Sequence, residues 1–206
     1  MGGRLHATCC LLLRASLLVL VAGCASPEKI GEAVHAVNRA FQAEYERILD
    51  ERGSRTIKVP RGRAFVALYA SLNRLGMRVA DHDPEAGTLT VVAPAPAPLS
   101  ADEWRRAAEA DAPLMQKIVC PIVGDMTCQF IRFEPEGLEI VINATVLAAA
   151  AGCEVSITTR MREVAPPRSG IPRREYPPPS GVRIALDKIW AQFDRELAEQ
   201  ERRGVR

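Results

Sequence analysis

The second half of the chain alternates apolar and polar side chains with a period of two, the pattern of β-strands that bury one face. This pattern predicts strands over residues 127–133, 138–147 and 153–162, with a turn at 134–137. The second and third strands share an apolar face: Leu138, Ile140, Ile142, Ala144, Val146, Cys153, Val155, Ile157, Thr159 and Met161. The other face of the third strand is polar, so we expect an antiparallel sheet with helices covering one side and water reaching the other.

Other segments predict further strands and the helices that cover the sheet. Residues 56–92 predict a strand, a helix ended by Gly76, and two further strands. A final helix over 182–202 has an apolar stripe that would lie across the sheet: Val182, Leu186, Ile189, Trp190, Phe193 and Leu197. The sequence therefore predicts one α+β domain over 54–206, with two layers and a mainly antiparallel sheet.

A long amphipathic helix is predicted before this domain, from residue 28 to residue 52. Its apolar residues recur at helical spacing: Ile30, Val34, Val37, Phe41, Ile48 and Leu49. Such a stripe fits a helix that packs on its own domain. It equally fits a stalk or a coiled-coil seam for a partner.

Two proline-rich segments predict the connections between helices and strands. Alternating Ala and Pro over 93–98 predict a stiff polyproline II spacer, and the proline-rich residues 165–180 predict an extended strap before the last helix. Between them, Ser100 and Glu103 form a capping box that begins a helix. Pro113 is expected to limit that helix, with a further turn over 114–119 as the alternative.

The first residues have the form of an export signal. Arg4 and Arg14 precede an apolar run over 15–22, which is too short to span a membrane. The run ends in Val21, Ala22 and Gly23, directly before Cys24. This arrangement resembles the lipobox of bacterial lipoproteins. The resemblance implies a signal peptide over 1–23, peptidase recognition of Val21, Ala22 and Gly23, a diacylglycerol on the sulfur of Cys24, and a lipid-anchored segment over 24–53.

Charge disfavours nucleic acid as a partner. The net charge of +2 comes from the predicted signal peptide, because removal of Arg4 and Arg14 leaves equal numbers of basic and acidic residues. A neutral protein lacks the excess of positive charge that binds phosphate backbones.

Three cysteines of the predicted mature domain can pair in an oxidising compartment. Cys120 and Cys128 are the nearest pair, and Cys153 could instead link to either of them. Zinc is less favoured, because the spacing of Cys120 and Cys128 matches no ligand motif and His35 and His82 lie far away in sequence. We therefore expect no metal and no cofactor.

The sequence contains no recognised catalytic motif. It has no Gly-x-Ser-x-Gly, no His-Glu-x-x-His, no phosphate-binding glycine loop and no Cys-x-x-Cys. Its close carboxylate pairs, Asp81 with Asp83 and Glu134 with Glu136, fall in predicted turns. A non-catalytic protein is the expectation, with a carboxylate-dependent hydrolase as a minor alternative.

The order of elements over 56–202 weakly resembles that of helix-grip lipoproteins of the outer-membrane β-barrel assembly machinery. The resemblance implies an accessory role for an envelope lipoprotein, in the outer membrane facing the periplasm, with an envelope protein as its partner. Candidate partner-binding residues are Phe41 on the first helix and Arg173, Arg174 and Tyr176 in the strap. The alternative function is an amphiphile carrier, which predicts a large apolar cavity near Trp190 and Phe193.

Overall fold

The computed structural model describes residues 25–166, 168, 171 and 173–204. The chain forms, in order, α1 (Pro27–Arg52), β1 (Ser54–Ile57), α2 (Arg61–Arg74), β2 (Arg78–Asp83), β3 (Thr88–Pro94), α3 (Ala101–Val123), α4 (Asp125–Cys128), β4 (Leu138–Ala149), β5 (Gly152–Glu163) and α5 (Pro179–Gly204). Within these residues, none of the helices combines the length and the apolar character needed to cross a bilayer.

The five strands form one antiparallel sheet in the order β1-β5-β4-β3-β2. Ile140 lies opposite Met161, and Ile142 lies between Val91 and Thr159. Period-two alternation on β4 and β5 therefore puts the predicted apolar residues on one face, and all of them are buried. The predicted α+β fold with an antiparallel sheet is confirmed.

A glycine is required at the turn between β2 and β3. Gly87 has a φ of 77°, and a Cβ there would lie 2.2 Å from the carbonyl oxygen of Val146. The N–H of Val146 donates to the carbonyl of Gly87 at 2.7 Å. This turn packs directly on β4, so a side chain at position 87 would push the hairpin off the sheet.

The first helix packs on its own domain. Its buried residues are Ala33, Val34, Val37, Phe41, Tyr45 and Ile48, and all belong to the central hydrophobic core. The interpretation of this stripe as a stalk or coiled-coil seam is therefore wrong, because the apolar face is already covered within the molecule.

Ion pairs show that α1 and α5 run in the same direction. Glu44 pairs with Arg183 at 3.3 Å, and Arg52 pairs with Asp187 at 3.0 Å. Residue numbers rise together along both helices, so their N-terminal ends lie at the same end of the molecule.

Helix α3 runs the opposite way. Its Asp111 accepts hydrogen bonds from the backbone N–H and the hydroxyl of Ser180, at 2.8 and 2.7 Å, and its Glu103 pairs with Lys188 at 2.6 Å. Residue numbers fall along α3 as they rise along α5. Since α1 is parallel to α5, the start of α1 lies at the end of α3 that leads into α4.

Three local predictions are wrong. Residues 127–133 form no strand; the chain makes the short helix α4 and then an irregular segment outside the sheet. Residues 93–98 are not a polyproline II spacer, because β3 continues to Pro94 and turns follow, with cis bonds before Pro96 and Pro98. Pro113 does not end α3; it lies on an exposed part of the helix, where water can pair with the carbonyl it leaves free.

Candidate binding groove

An open groove of about 680 Å³ lies between α3 and the irregular segment of residues 129–136. The segment forms one wall and the helix the other. Apolar side chains of both walls line it, among them Trp104, Met115 and Phe133. Each of these three is less than 10% exposed, so their surfaces are set by packing.

Aromatic contacts hold the two walls together. The indole N–H of Trp104 donates to the carbonyl of Phe133 at 3.1 Å, and their ring centroids lie 6.0 Å apart. On its other side, Phe133 meets Phe41 of α1 with a centroid distance of 5.8 Å. Phe41 was predicted to be an exposed partner-binding residue. It is 1% exposed and instead supports the segment from behind.

The helix wall has small side chains, and the rim has charges of both signs. Ala101, Ala108 and Ala112 line the groove, so a bound chain can approach the helix backbone closely. Charged residues line it too: Arg105, Glu109, Arg132, Glu134 and Glu136. Sequence reasoning missed this surface, although alanines spaced four and seven residues apart on a capped helix were its visible signal.

Two backbone donors of the segment wall have no protein partner within the described chain. Residues 131–135 belong to no helix, strand or turn. Within the described chain, the N–H groups of Arg132 and Phe133 make no hydrogen bond. A backbone N–H that has no partner in its own chain can donate to the backbone of a second chain.

Arg174 fixes the position of this segment from the inside. Its guanidinium donates to the carbonyl oxygens of Glu134 and Glu136, and it lies 5.8 Å from the ring of Phe133. Burial lowers the pKa of Arg174, and the nearby carboxylate of Glu163 partly offsets this effect. Arg174 is 2% exposed, so its predicted partner-binding role is wrong. It is a structural residue of the groove.

The other two strap candidates have different surroundings. Arg173 is exposed, with a φ of 54°, and its carbonyl accepts a hydrogen bond from the side chain of Asn38 at 3.1 Å. Tyr176 is half-buried, and its ring lies 5.6 Å from that of Tyr45. Of the four predicted partner-binding residues, only Arg173 is exposed.

Cys120 and Cys128 form a disulfide with their Cα atoms 5.1 Å apart, which confirms the predicted pairing. The bond ties the last turn of α3 to α4, just before the groove segment begins. Cys153 is a free thiol on the buried face of β5, and burial raises its pKa. Asp125 lies beside the two disulfide sulfurs, but a disulfide offers no thiolate to a metal.

We expect reduction of the disulfide to lower the free energy of unfolding by about 2.5 kcal/mol, the chain-entropy effect of a loop this short. Denaturation monitored by circular dichroism, with and without reductant, measures the loss. The Cys120→Ala/Cys128→Ala double variant is the control, because its stability should not respond to reductant. A tryptic peptide from Ile118 to Arg132 that is two hydrogens lighter before reduction identifies the bond; equal masses before and after reduction contradict it.

The space between the sheet and α5 is small. A cavity of about 20 Å³ lies there, lined by Ile140, Thr159, Val182 and Ala185 among others. That is room for about one water molecule. Trp190 and Phe193 are fully buried and pack edge to face, 5.8 Å apart. In this conformation the site expected for an amphiphile is filled by side chains.

Among the carboxylates that the structure describes, Asp111 has a raised pKa, because it is partly buried. Both of its oxygens accept hydrogen bonds from Ser180. The carboxylate thus caps the first turn of α5, which is a structural task.

Cys24 and its predicted recognition residues Val21, Ala22 and Gly23 lie outside the described residues. The described chain begins directly after them, at Ala25, and this residue packs against the hydrophobic core. Comparison with protein-family models, with curated proteins and with solved structures finds no match for this chain.

Proposed function

We propose that this protein is an envelope lipoprotein of a bacterium, anchored through Cys24, that binds an extended segment of a partner protein in the groove beside α3. Its role is accessory and non-catalytic, at the periplasmic face of the outer membrane. The observation that carries the proposal is the groove itself, which combines apolar side chains with the N–H groups of Arg132 and Phe133, two backbone donors that have no partner within the described chain.

The groove fits a peptide better than a compact ligand. It is an open groove, and Trp104, Met115 and Phe133 line it, each with only a small part of its surface accessible. The free N–H groups of Arg132 and Phe133 can donate to the backbone of a second chain. Rim charges of both signs favour a mixed sequence over a strongly charged one.

Two features support the envelope location. The residues before Ala25 have the order of a lipoprotein signal, with small residues directly before a cysteine. The disulfide between Cys120 and Cys128 suits an oxidising compartment such as the periplasm.

A matched pair of substitutions on α3 tests the groove. Ala108 lines it, whereas Ala110 is exposed on the same helix outside it. We expect Ala108→Arg to fill the groove and to abolish co-purification of a stoichiometric partner from native envelopes in mild detergent. Ala110→Arg, which adds the same charge and length, should retain the partner. Thermal unfolding of both variants checks that the fold is intact.

The anchor is tested in the same preparation. Wild-type protein should partition into detergent and carry a diacylglycerol on its N-terminal peptide by mass spectrometry, and Cys24→Ala should do neither. If a folded Ala108→Arg variant retains the partner, the groove is not the binding site. An unmodified Cys24 in the wild type would reject the anchor, and an amphiphile recovered in place of a protein would favour the carrier.

A further inference from the structure

The most exposed large apolar side chains described lie together at one end of the molecule. Met126 is 73% exposed and Phe130 is 74% exposed. Tight turns of the 3₁₀ type follow α4, in which the N–H of Phe130 donates to the carbonyl of Thr127 and the N–H of Ile131 donates to that of Cys128. Met126 and Phe130 are thus two exposed apolar side chains only four residues apart in one short helical turn, and we call this pair the apolar tip.

The chain enters the described structure at this same end. Helix α1 is antiparallel to α3. Glu44 of α1 pairs with Arg183, and Asp111 of α3 accepts a hydrogen bond from Ser180, less than one turn earlier on α5. Glu44 and Asp111 therefore lie at about the same height along the helices. Ala25 lies about 28 Å before Glu44 along α1, while α3 continues for only about 18 Å beyond Asp111 at 1.5 Å per residue. The start of α1 therefore lies at the same end of the molecule as the last turn of α3, against which the disulfide between Cys120 and Cys128 holds α4.

Cys24 is joined directly to Ala25, so their Cα atoms are about 3.8 Å apart. Ala25 and Ile30 pack against the hydrophobic core and do not extend away as a tether. A lipid on Cys24 would hold this end of the domain against the bilayer surface.

We propose that the Met126 and Phe130 tip inserts into the interface of the phospholipid bilayer that holds the anchor. This inference rests on the proposed lipidation of Cys24. The disulfide between Cys120 and Cys128 ties down the loop that carries Met126, so little conformational entropy is lost on insertion.

The charges at this end fit a phospholipid surface that is mostly zwitterionic. Lys29 and Lys117 are exposed there, and so are Glu28 and Asp125. Because the signs balance, binding would come from burial of apolar area at the level of the headgroups, and would depend little on salt.

Tryptophan quenching tests the tip. The lipidated protein is reconstituted in phosphatidylethanolamine and phosphatidylglycerol vesicles that carry brominated acyl chains. The Phe130→Trp variant has one more tryptophan than wild type. We expect bromine to quench the additional tryptophan fluorescence. Trp104 and Trp190, the native tryptophans, are buried, so wild type supplies a constant background.

Val66→Trp is the matched control. Val66 is 59% exposed on α2, whose Arg63 pairs with Glu201 near the end of α5, so it lies at the far end of the molecule. Its added emission should be unaffected by bromine.

The outcomes separate the tip from the anchor. Binding of the vesicles by wild type and not by Cys24→Ala supports the lipid anchor. If Phe130→Trp is then not quenched by bromine, insertion of the tip is overturned. A blue shift of that variant only on addition of solubilised envelope protein also overturns it, because a protein then covers the tip. If wild type does not bind, the anchor fails and the membrane contact fails with it.

Discussion

Replacing Arg174 with Ala is expected to lower the free energy of unfolding by about 3 to 4 kcal/mol. The side chain is 2% exposed and supplies hydrogen bonds to the carbonyls of Glu134 and Glu136. Its loss leaves these acceptors without their donor and removes the cation that faces Glu163. Urea denaturation followed by circular dichroism measures the change.

Its neighbour is the control. Arg173→Ala removes the same charge from an exposed position and should alter stability by no more than about 0.5 kcal/mol. Arg174→Lys should lose part of the stability, because an ammonium keeps the charge but lacks the planar fork that reaches two carbonyls. Equal and small losses from Arg173→Ala and Arg174→Ala would contradict the buried position of Arg174.

Replacing Phe41 with Ala is expected to destabilise the protein by about 4 kcal/mol. Phe41 is 1% exposed, and its ring lies 5.8 Å from that of Phe133. Truncation would leave a cavity between α1 and the groove segment, which the surrounding helices can fill only partly. The midpoint of chemical denaturation reports the loss.

Phe130→Ala provides the comparison, because it deletes the same ring from a position that is 74% exposed. Its effect on stability should stay within about 0.5 kcal/mol. If Phe41→Ala costs no more than Phe130→Ala, the stripe of α1 is not part of the core, and a stalk for a partner returns as its explanation.

Local patterns predicted most of the elements correctly. The capping box of Ser100 and Glu103 is formed, with both of its hydrogen bonds present. Helix α5 was expected over 182–202 and spans Pro179–Gly204. Such signals act within one or two turns of chain, so the sequence shows them directly.

The groove could not be predicted in the same way. Residues 127–133 have an alternating pattern, yet no strand forms, because the disulfide at Cys128 ties the chain to α3 and Phe133 packs between Trp104 and Phe41. Each of these contacts joins residues distant in sequence or depends on a cross-link. Alternation by itself cannot tell whether a neighbouring strand is within reach.

The sequence by itself determined the antiparallel sheet and the helix stripes, since period and capping are local properties. It left three pairings of Cys120, Cys128 and Cys153 open, and the tertiary structure selects the nearest pair. Only the tertiary structure decided which polar side chain is buried and which apolar side chain is exposed. Arg174 is buried because the carbonyls of Glu134 and Glu136, some 40 residues earlier in the chain, meet it inside the fold. Phe130 is exposed because the turn after α4 ends beside the groove with nothing in the described chain to cover it. Burial is a property of what surrounds a residue, and that is set by contacts between distant parts of the chain.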